Sequence, residues 1–241
     1  MGSTAQALQV THHLDTTIGI FNACAETFTY KFYNDRDYDI KTSVYTKGTF
    51  GALYPFKSQY HSIGTFSGSN FKPQSYYQEA KSRFNNRTKE IFYQDGVPQY
   101  RISTKNDERV KYECKLNNKY QSSNDLLTTF AKLTHQIMQT GKCDFDGYSY
   151  NGKRYSRSTV KTIGTEKLKT PYFSGKAIKC SYKMEILDDA SAKFILDGKK
   201  PVYFWVMRDE QTDAPFIARI LVESTPLGQL ESLTTKIEVK K

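Results

Sequence analysis

Residues 178 to 186 read Ile178-Lys179-Cys180-Ser181-Tyr182-Lys183-Met184-Glu185-Ile186, an apolar side chain at every second position with a polar one between. Successive side chains of a strand point to opposite faces, so this stretch is a strand with one face on a core and one in water. Leu233, Thr235, Ile237 and Val239 repeat the pattern against Thr234, Lys236, Glu238 and Lys240. The same period recurs along most of the chain and predicts an all-β, mainly antiparallel protein.

Working outward, strands are expected at 27–33 and 39–47 around Asn34-Asp35-Arg36-Asp37, and at 58–66 and 73–81 around Ser67-Gly68-Ser69-Asn70. Segments 83–93 and 97–104 flank Asp95-Gly96, a strong hairpin signal, and 110–116 follows them. Then the period changes. Ser123-Asn124-Asp125 offers helix caps, Leu126, Leu127, Phe130, Leu133, Ile137 and Met138 recur at helical spacing, and Gly141 ends the run. One capping helix is predicted over about 124–139. An apolar stripe of this kind normally packs on the core rather than on a partner. Beyond it come a hairpin around Asn151-Gly152 and strands at 176–187, 191–196, 202–208, 216–223 and 229–239. A sheet of roughly a dozen strands must curl or pair with itself, so a closed or spiralling β-barrel-like sheet is predicted.

The chain has 241 residues and shows no linker, repeat or low-complexity run, so residues 16–241 are read as a single domain. Residues 1–15 are read as an N-terminal tail. Ala5-Gln6-Ala7 has the small-x-small form of a signal-peptidase site, and we expect export by a cleaved signal peptide, of which this is a remnant. No apolar run approaches the roughly 20 residues of a membrane-spanning helix. The net charge of +10 favours an anionic partner such as a membrane surface or an acidic glycan.

Four cysteines, Cys24, Cys114, Cys143 and Cys180, fit no zinc spacing. A bridge between Cys143 and Cys180 would imply an oxidising compartment; otherwise the four are buried thiols. Cys24 and Cys114 are either free thiols or a second bridge.

No catalytic constellation stands out. His12 and His13 fall in the expected tail, His135 is read as a surface residue of the helix, and no Gly-x-Ser-x-Gly elbow is present. Neither an enzyme nor a metal or cofactor site is expected. Tyr76, Tyr77, Lys81, Arg83, Phe84 and Arg87 interleave aromatic and basic groups, but no nucleic-acid signature accompanies them and no nucleic-acid partner is expected. Two features point to contacts. The segment from Phe50 through Leu53, Tyr54 and Phe56 is apolar where connections are normally polar. It is either a plug over the barrel mouth or a surface for a membrane, lipid or partner, flanked by Lys47 and Lys57. Trp205 sits among Tyr203, Phe204, Val206 and Met207, a strand apolar on both faces that is either core or the wall of an apolar cavity.

The ordered set Asn124-Asp125-Leu126-Leu127, Gly141-Lys142-Cys143, Asn151-Gly152-Lys153-Arg154-Tyr155, Gly175-Lys176-Ala177-Ile178-Lys179-Cys180, Ala214-Pro215-Phe216-Ile217 and Pro226-Leu227-Gly228 resembles the bacterial domain-of-unknown-function family 3108, in its alphaproteobacterial form. Thr46-Lys47-Gly48-Thr49-Phe50-Gly51-Ala52-Leu53 and Gly64 extend the resemblance through the N-terminal half. The resemblance implies an exported, periplasmic β-rich protein with no established activity, and a Cys143–Cys180 disulfide. Asn151 stands where the family usually has Asp, which favours a structural role for that turn. The outline is also similar to periplasmic β-spiral envelope proteins and, more loosely, to lipoprotein carriers. The expectation is a non-enzymatic periplasmic cell-envelope protein that binds a lipid, a glycan or an envelope protein. The alternatives are an interaction scaffold with a filled core, and an unrecognised hydrolase.

Overall fold

The computed structural model describes residues 7–115, 124–187 and 201–240. The first half is β1 (Ala7–Ile18), β2 (Phe21–Tyr33), β3 (Asp37–Thr46), α1 (Gly48–Leu53), β4 (Phe56–Ser67), β5 (Asn70–Ser82), β6 (Asn86–Gln94), β7 (Val97–Lys105) and β8 (Glu108–Glu113). The second is α2 (Leu126–Thr140), β9 (Phe145–Tyr150), β10 (Tyr155–Lys169), β11 (Ser174–Ile186), β12 (Val202–Arg208), β13 (Pro215–Thr225) and β14 (Gly228–Lys240). The 14 strands among the described residues form one antiparallel sheet in the order β8-β7-β6-β5-β4-β3-β2-β1-β14-β13-β12-β11-β10-β9. Two meanders thus run outward from a central seam made by the first and last strands.

That seam corrects the expected tail. Residues 7–15 belong to β1, paired with β2 on one side and β14 on the other. Leu8, Val10, His12 and Leu14 alternate there, but a histidine in an apolar slot hides the strand from a hydrophobicity count. Apart from Ala7, the Ala5-Gln6-Ala7 segment lies outside the described residues, as does the expected strand 191–196. Strand β10 was also not foreseen over 156–169, because its inward face uses Ser158 as well as Val160 and its register shifts between Thr162 and Gly164.

The alternation expected through Leu233–Val239 is broken by a bulge. The β1–β14 register jumps from His13↔Lys236 to Leu14↔Thr234, which moves Leu233 to the face opposite Ile237 and Val239. Ser232 and Thr234 are buried instead, and the Ser232 hydroxyl shares a 2.6 Å hydrogen bond with that of Thr16.

The edge strands β8 and β9 are not laddered to each other, so the sheet spirals without closing. The edges meet through the β9–β10 turn. Gly152, at φ 82°, packs against Arg101 so closely that a Cβ would come within 2.8 Å of its side chain. The Asn151 side-chain oxygen accepts the backbone N–H groups of Lys153 and Arg154 at 3.0 and 2.9 Å. An amide oxygen therefore serves this turn as well as a carboxylate would.

Helix α2 lies inside the spiral. Asp125 caps it, accepting the Thr128 N–H at 2.9 Å, the Thr128 hydroxyl at 2.6 Å and the Ser62 hydroxyl at 2.9 Å. Tyr38 joins this buried network through Thr128 at 2.7 Å. Gly141, in the left-handed conformation at φ 67°, ends the helix. One side of α2, with Leu127 and Ala131, packs on Val10, Tyr30, Ile40 and Ile91; another, with Leu133 and Ile137, packs on Phe145, Val160 and Phe204. His135, expected at the surface, instead faces the rings of Phe32, Phe66 and Phe71 at 5.6, 5.0 and 5.7 Å.

Candidate functional site

The side chains of α2 do not fill the spiral. A cavity of about 370 Å³ remains between Leu127, Phe130, Leu133 and Ile137 of the helix and the inner faces of β1–β4 and β11–β13. That volume falls within the roughly 300–1,000 Å³ range of small-molecule sites. Strand alternation builds the wall: β2 contributes Glu26, Phe28 and Tyr30, β3 contributes Thr42 and Val44, and β12 contributes Phe204 and Val206.

The helix wall is fixed at both ends. The Asp125 network holds its start. At its end the Arg208 guanidinium donates to the carbonyls of Ile137 at 2.8 Å and Met138 at 3.3 Å, while pairing with the Asp213 carboxylate at 2.6 Å. The Cys143–Cys180 disulfide ties the chain just beyond α2 to β11, across 37 residues of sequence, with both cysteines fully buried. A cavity between such fixed walls persists when empty instead of collapsing.

Besides its threonine and tyrosine hydroxyls, two polar side chains, His12 and Glu26, break the apolar lining. His12 is fully buried, its ring near those of Phe28, Tyr30 and Phe216 at 5.5, 5.9 and 6.2 Å, and neither ring nitrogen has a hydrogen-bond partner. Burial, helped by the neighbouring His13, pushes its pKa down to about 3, so the imidazole is neutral at pH 7. Glu26 lies diagonally across from His12 on the same face, since His12 pairs with Phe28 and Leu14 with Glu26. Burial raises the pKa of the Glu26 carboxyl, and no ion pair to it occurs among the described residues. The sequence alone assigns His12 to the tail and no role to Glu26. The signal was the Leu8-Val10-His12-Leu14 alternation, which places His12 on an apolar face.

The chain matches the family described as "Protein of unknown function (DUF3108)" over residues 15–232. It belongs to that family. Among solved structures, this DUF3108 chain is similar to the beta-barrel-like protein of domain of unknown function DUF1849 from Brucella abortus, with a TM-score of 0.53 and 8% identity over 98% of each chain. At that identity the likeness carries the fold alone. No curated protein matches the chain.

The residues singled out from the sequence scatter over this DUF3108 fold. Cys143 and Cys180 are bonded, whereas Cys24 and Cys114 are free thiols with five strands between them, which removes the possible second pair. Trp205 is buried on the face of β12 away from the cavity, with Lys179 and Arg219 over its ring and its indole N–H donating to Glu166 at 2.6 Å. Its neighbours Phe204 and Val206 are the cavity residues, so the apolar-on-both-faces strand serves core and cavity at once. The Phe50–Phe56 segment is no plug: Gly48–Leu53 forms the short helix α1, which buries none of its residues. Among the described residues, no three His, Cys, Asp or Glu side chains are grouped to hold a metal ion.

Proposed function

We propose that this protein is an exported cell-envelope protein that holds an apolar or amphipathic, lipid-like molecule inside its spiral sheet, without catalysing a reaction on it. The observation that carries this reading is the fixed, unfilled cavity beside α2, walled by Phe28, Leu133, Phe204 and Ile220. A sugar would strand its hydroxyls against that wall, so a glycan suits the site less well than a hydrocarbon. A filled-core scaffold would not leave this space. Export is supported by the Cys143–Cys180 bridge, which belongs in an oxidising compartment.

The test is binding of the neutral fluorophore N-phenyl-1-naphthylamine. We expect blue-shifted, saturable fluorescence with the wild type. In Val44→Trp, whose new indole occupies the space that Val44 borders, affinity should drop at least tenfold with the fold retained. No fluorescence gain, or equal affinity in the variant, would defeat the cavity reading.

A second observation supports contact with a membrane. The turn between β1 and β2, the α1 connection, the β5–β6 turn and the β13–β14 turn all lie at one end of the sheet, as the pairs Ile18↔Phe21, Phe56↔Ser82 and Ile18↔Leu230 require. That end displays Ile20 (91% exposed), Phe84 (80%), Tyr54 (70%), Leu227 (64%) and Leu53 (62%). Lys57, Lys81 and Arg83 stand beside them, a composition suited to anionic headgroups. Leu53→Asp removes apolar surface that is already in water, so its stability should change by no more than about 0.5 kcal/mol. Its co-sedimentation with vesicles containing phosphatidylglycerol should fall by more than half. Wild-type levels of sedimentation would exclude Leu53 from any membrane contact.

A further inference from the structure

We infer that the cavity selects a long-chain amine, its ammonium group set between Glu26 and His12 and its hydrocarbon along the apolar wall. This rests on the cavity reading above and adds the chemistry of the ligand's polar end.

Glu26 is the one charged side chain among the described residues lining the cavity. Several other acids of the sheet are paired: Asp15 with Lys47 at 2.7 Å, Asp39 with Lys41 at 3.3 Å, Glu231 with Arg219 at 2.7 Å and Glu238 with Lys236 at 2.7 Å. The chain has 35 Lys and Arg residues, yet among the described residues none pairs with the half-buried Glu26 carboxylate. A desolvated carboxylate without a partner is costly to keep, and a cation from the ligand offsets that cost.

His12 is the second, independent element of the site. It is fully buried with both ring nitrogens unpartnered, and it faces the same space as Glu26. A neutral imidazole has one lone-pair nitrogen, and an ammonium carries several N–H donors. One ammonium can therefore donate to both the carboxylate and the imidazole, two hydrogen bonds that bridge polar atoms up to about 6 Å apart, within reach of side chains on diagonal neighbours of the β1–β2 pair. A fatty-acid carboxylate or a phosphate would instead bring a second negative charge beside Glu26, and one of the two would have to take up a proton. An alcohol could hydrogen-bond there but would leave the charge uncompensated.

The experiment is displacement of N-phenyl-1-naphthylamine at pH 7.5 by dodecylamine, dodecanol and dodecanoate, each below its micellar concentration. Dodecylamine should bind the wild type at least tenfold more tightly than dodecanol, with dodecanoate weakest. This ordering is stringent, because a protein of net charge +10 repels an amine and attracts a carboxylate non-specifically. In Glu26→Gln the advantage of amine over alcohol should disappear. Equal binding of amine and alcohol by the wild type, tightest binding of dodecanoate, or an undiminished amine preference in Glu26→Gln would each overturn the inference. The wild-type comparison needs no variant, so it decides even if Glu26→Gln folds poorly. Binding of the alcohol alone sinks the amine and leaves the cavity; failure of the fluorophore and all three chains sinks both.

Discussion

Acidification from pH 6.5 to pH 4 should cost this fold about 3 kcal/mol through His12 alone. The unfolded imidazole takes its proton near pH 6.5, whereas the folded one stays neutral until about pH 3 because it is fully buried. Between those values the unfolded state binds one more proton. Stability is therefore fully present above pH 6.5 and falls by up to about 1.4 kcal/mol per pH unit as the pH drops. His12→Phe keeps a ring among Phe28, Tyr30 and Phe216 and removes both the titration and the two unsatisfied nitrogens. The variant should be the more stable protein at pH 7, since each unmet buried polar group costs about 1–3 kcal/mol. Its advantage should widen in acid. Asp144, Asp146 and Glu238, held low by hydrogen bonds from Thr162, Arg157 and Lys236, also lose stabilisation in acid, but they do so in both proteins. Thermal melts of the pair at pH 7 and pH 4 isolate His12. A gain of about 6–12 °C in the variant's relative Tm on going to pH 4 is expected for a chain of this size. Parallel acid losses would mean that His12 is not buried as a neutral group.

Removing the Cys143–Cys180 bridge by the double change Cys143→Ser and Cys180→Ser should cost about 4 kcal/mol, the chain-entropy value for the 37-residue separation it spans. That corresponds to a fall in Tm of about 8–16 °C. Both sulfurs are buried beside Leu133, Ile137, Phe145, Val160 and Phe204, so two hydroxyls placed there add a desolvation penalty to the lost cross-link. The bridge also fixes the end of α2 against β11, and Leu133, Ile137 and Phe204 are walls of the cavity. Fluorophore affinity should therefore weaken in the double variant along with stability. Cys24→Ser with Cys114→Ser is the control, because those thiols are unbonded. Equal melts of the two double variants would show that the bridge carries none of the stability.

Much of the architecture is written in local pattern. The turns at Asn34–Asp37, Ser67–Asn70, Asp95-Gly96 and Asn151-Gly152 need residues that tolerate left-handed or tight backbone, and each stands between strands where it was expected. Helix α2 is legible because Asp125, the apolar run to Met138 and Gly141 act within a few residues of one another. The Cys143–Cys180 pairing came from the resemblance of an ordered set of motifs, not from the spacing. Pattern failed where a partner strand sets the outcome. The β14 bulge that turns Leu233 away from the Ile237 face exists only against β1, and β1 is a strand because β2 and β14 flank it.

The site itself was mostly illegible. Phe50, Leu53, Tyr54 and Phe56 read as either a plug or a contact surface; only the fold places α1 at the rim of the sheet with none of its residues buried. Trp205 read as either core or cavity wall because hydrophobicity carries no sign for inside or outside; alternation with Phe204 and Val206 decides which of the three faces the space. His12 and Glu26 are 14 residues apart in a stretch partly read as tail, and only the β1–β2 register makes them neighbours. By itself the sequence determined what is local: strand period, turn chemistry, the capped helix, and the motifs that mark the family. The tertiary structure decided what depends on pairing at a distance: which strand is central, which face is inside, and that the inside holds a space lined by an unpaired carboxylate and an unpartnered imidazole. The reason is physical: backbone preference acts over a few residues, whereas burial of a side chain depends on what the other strands bring against it.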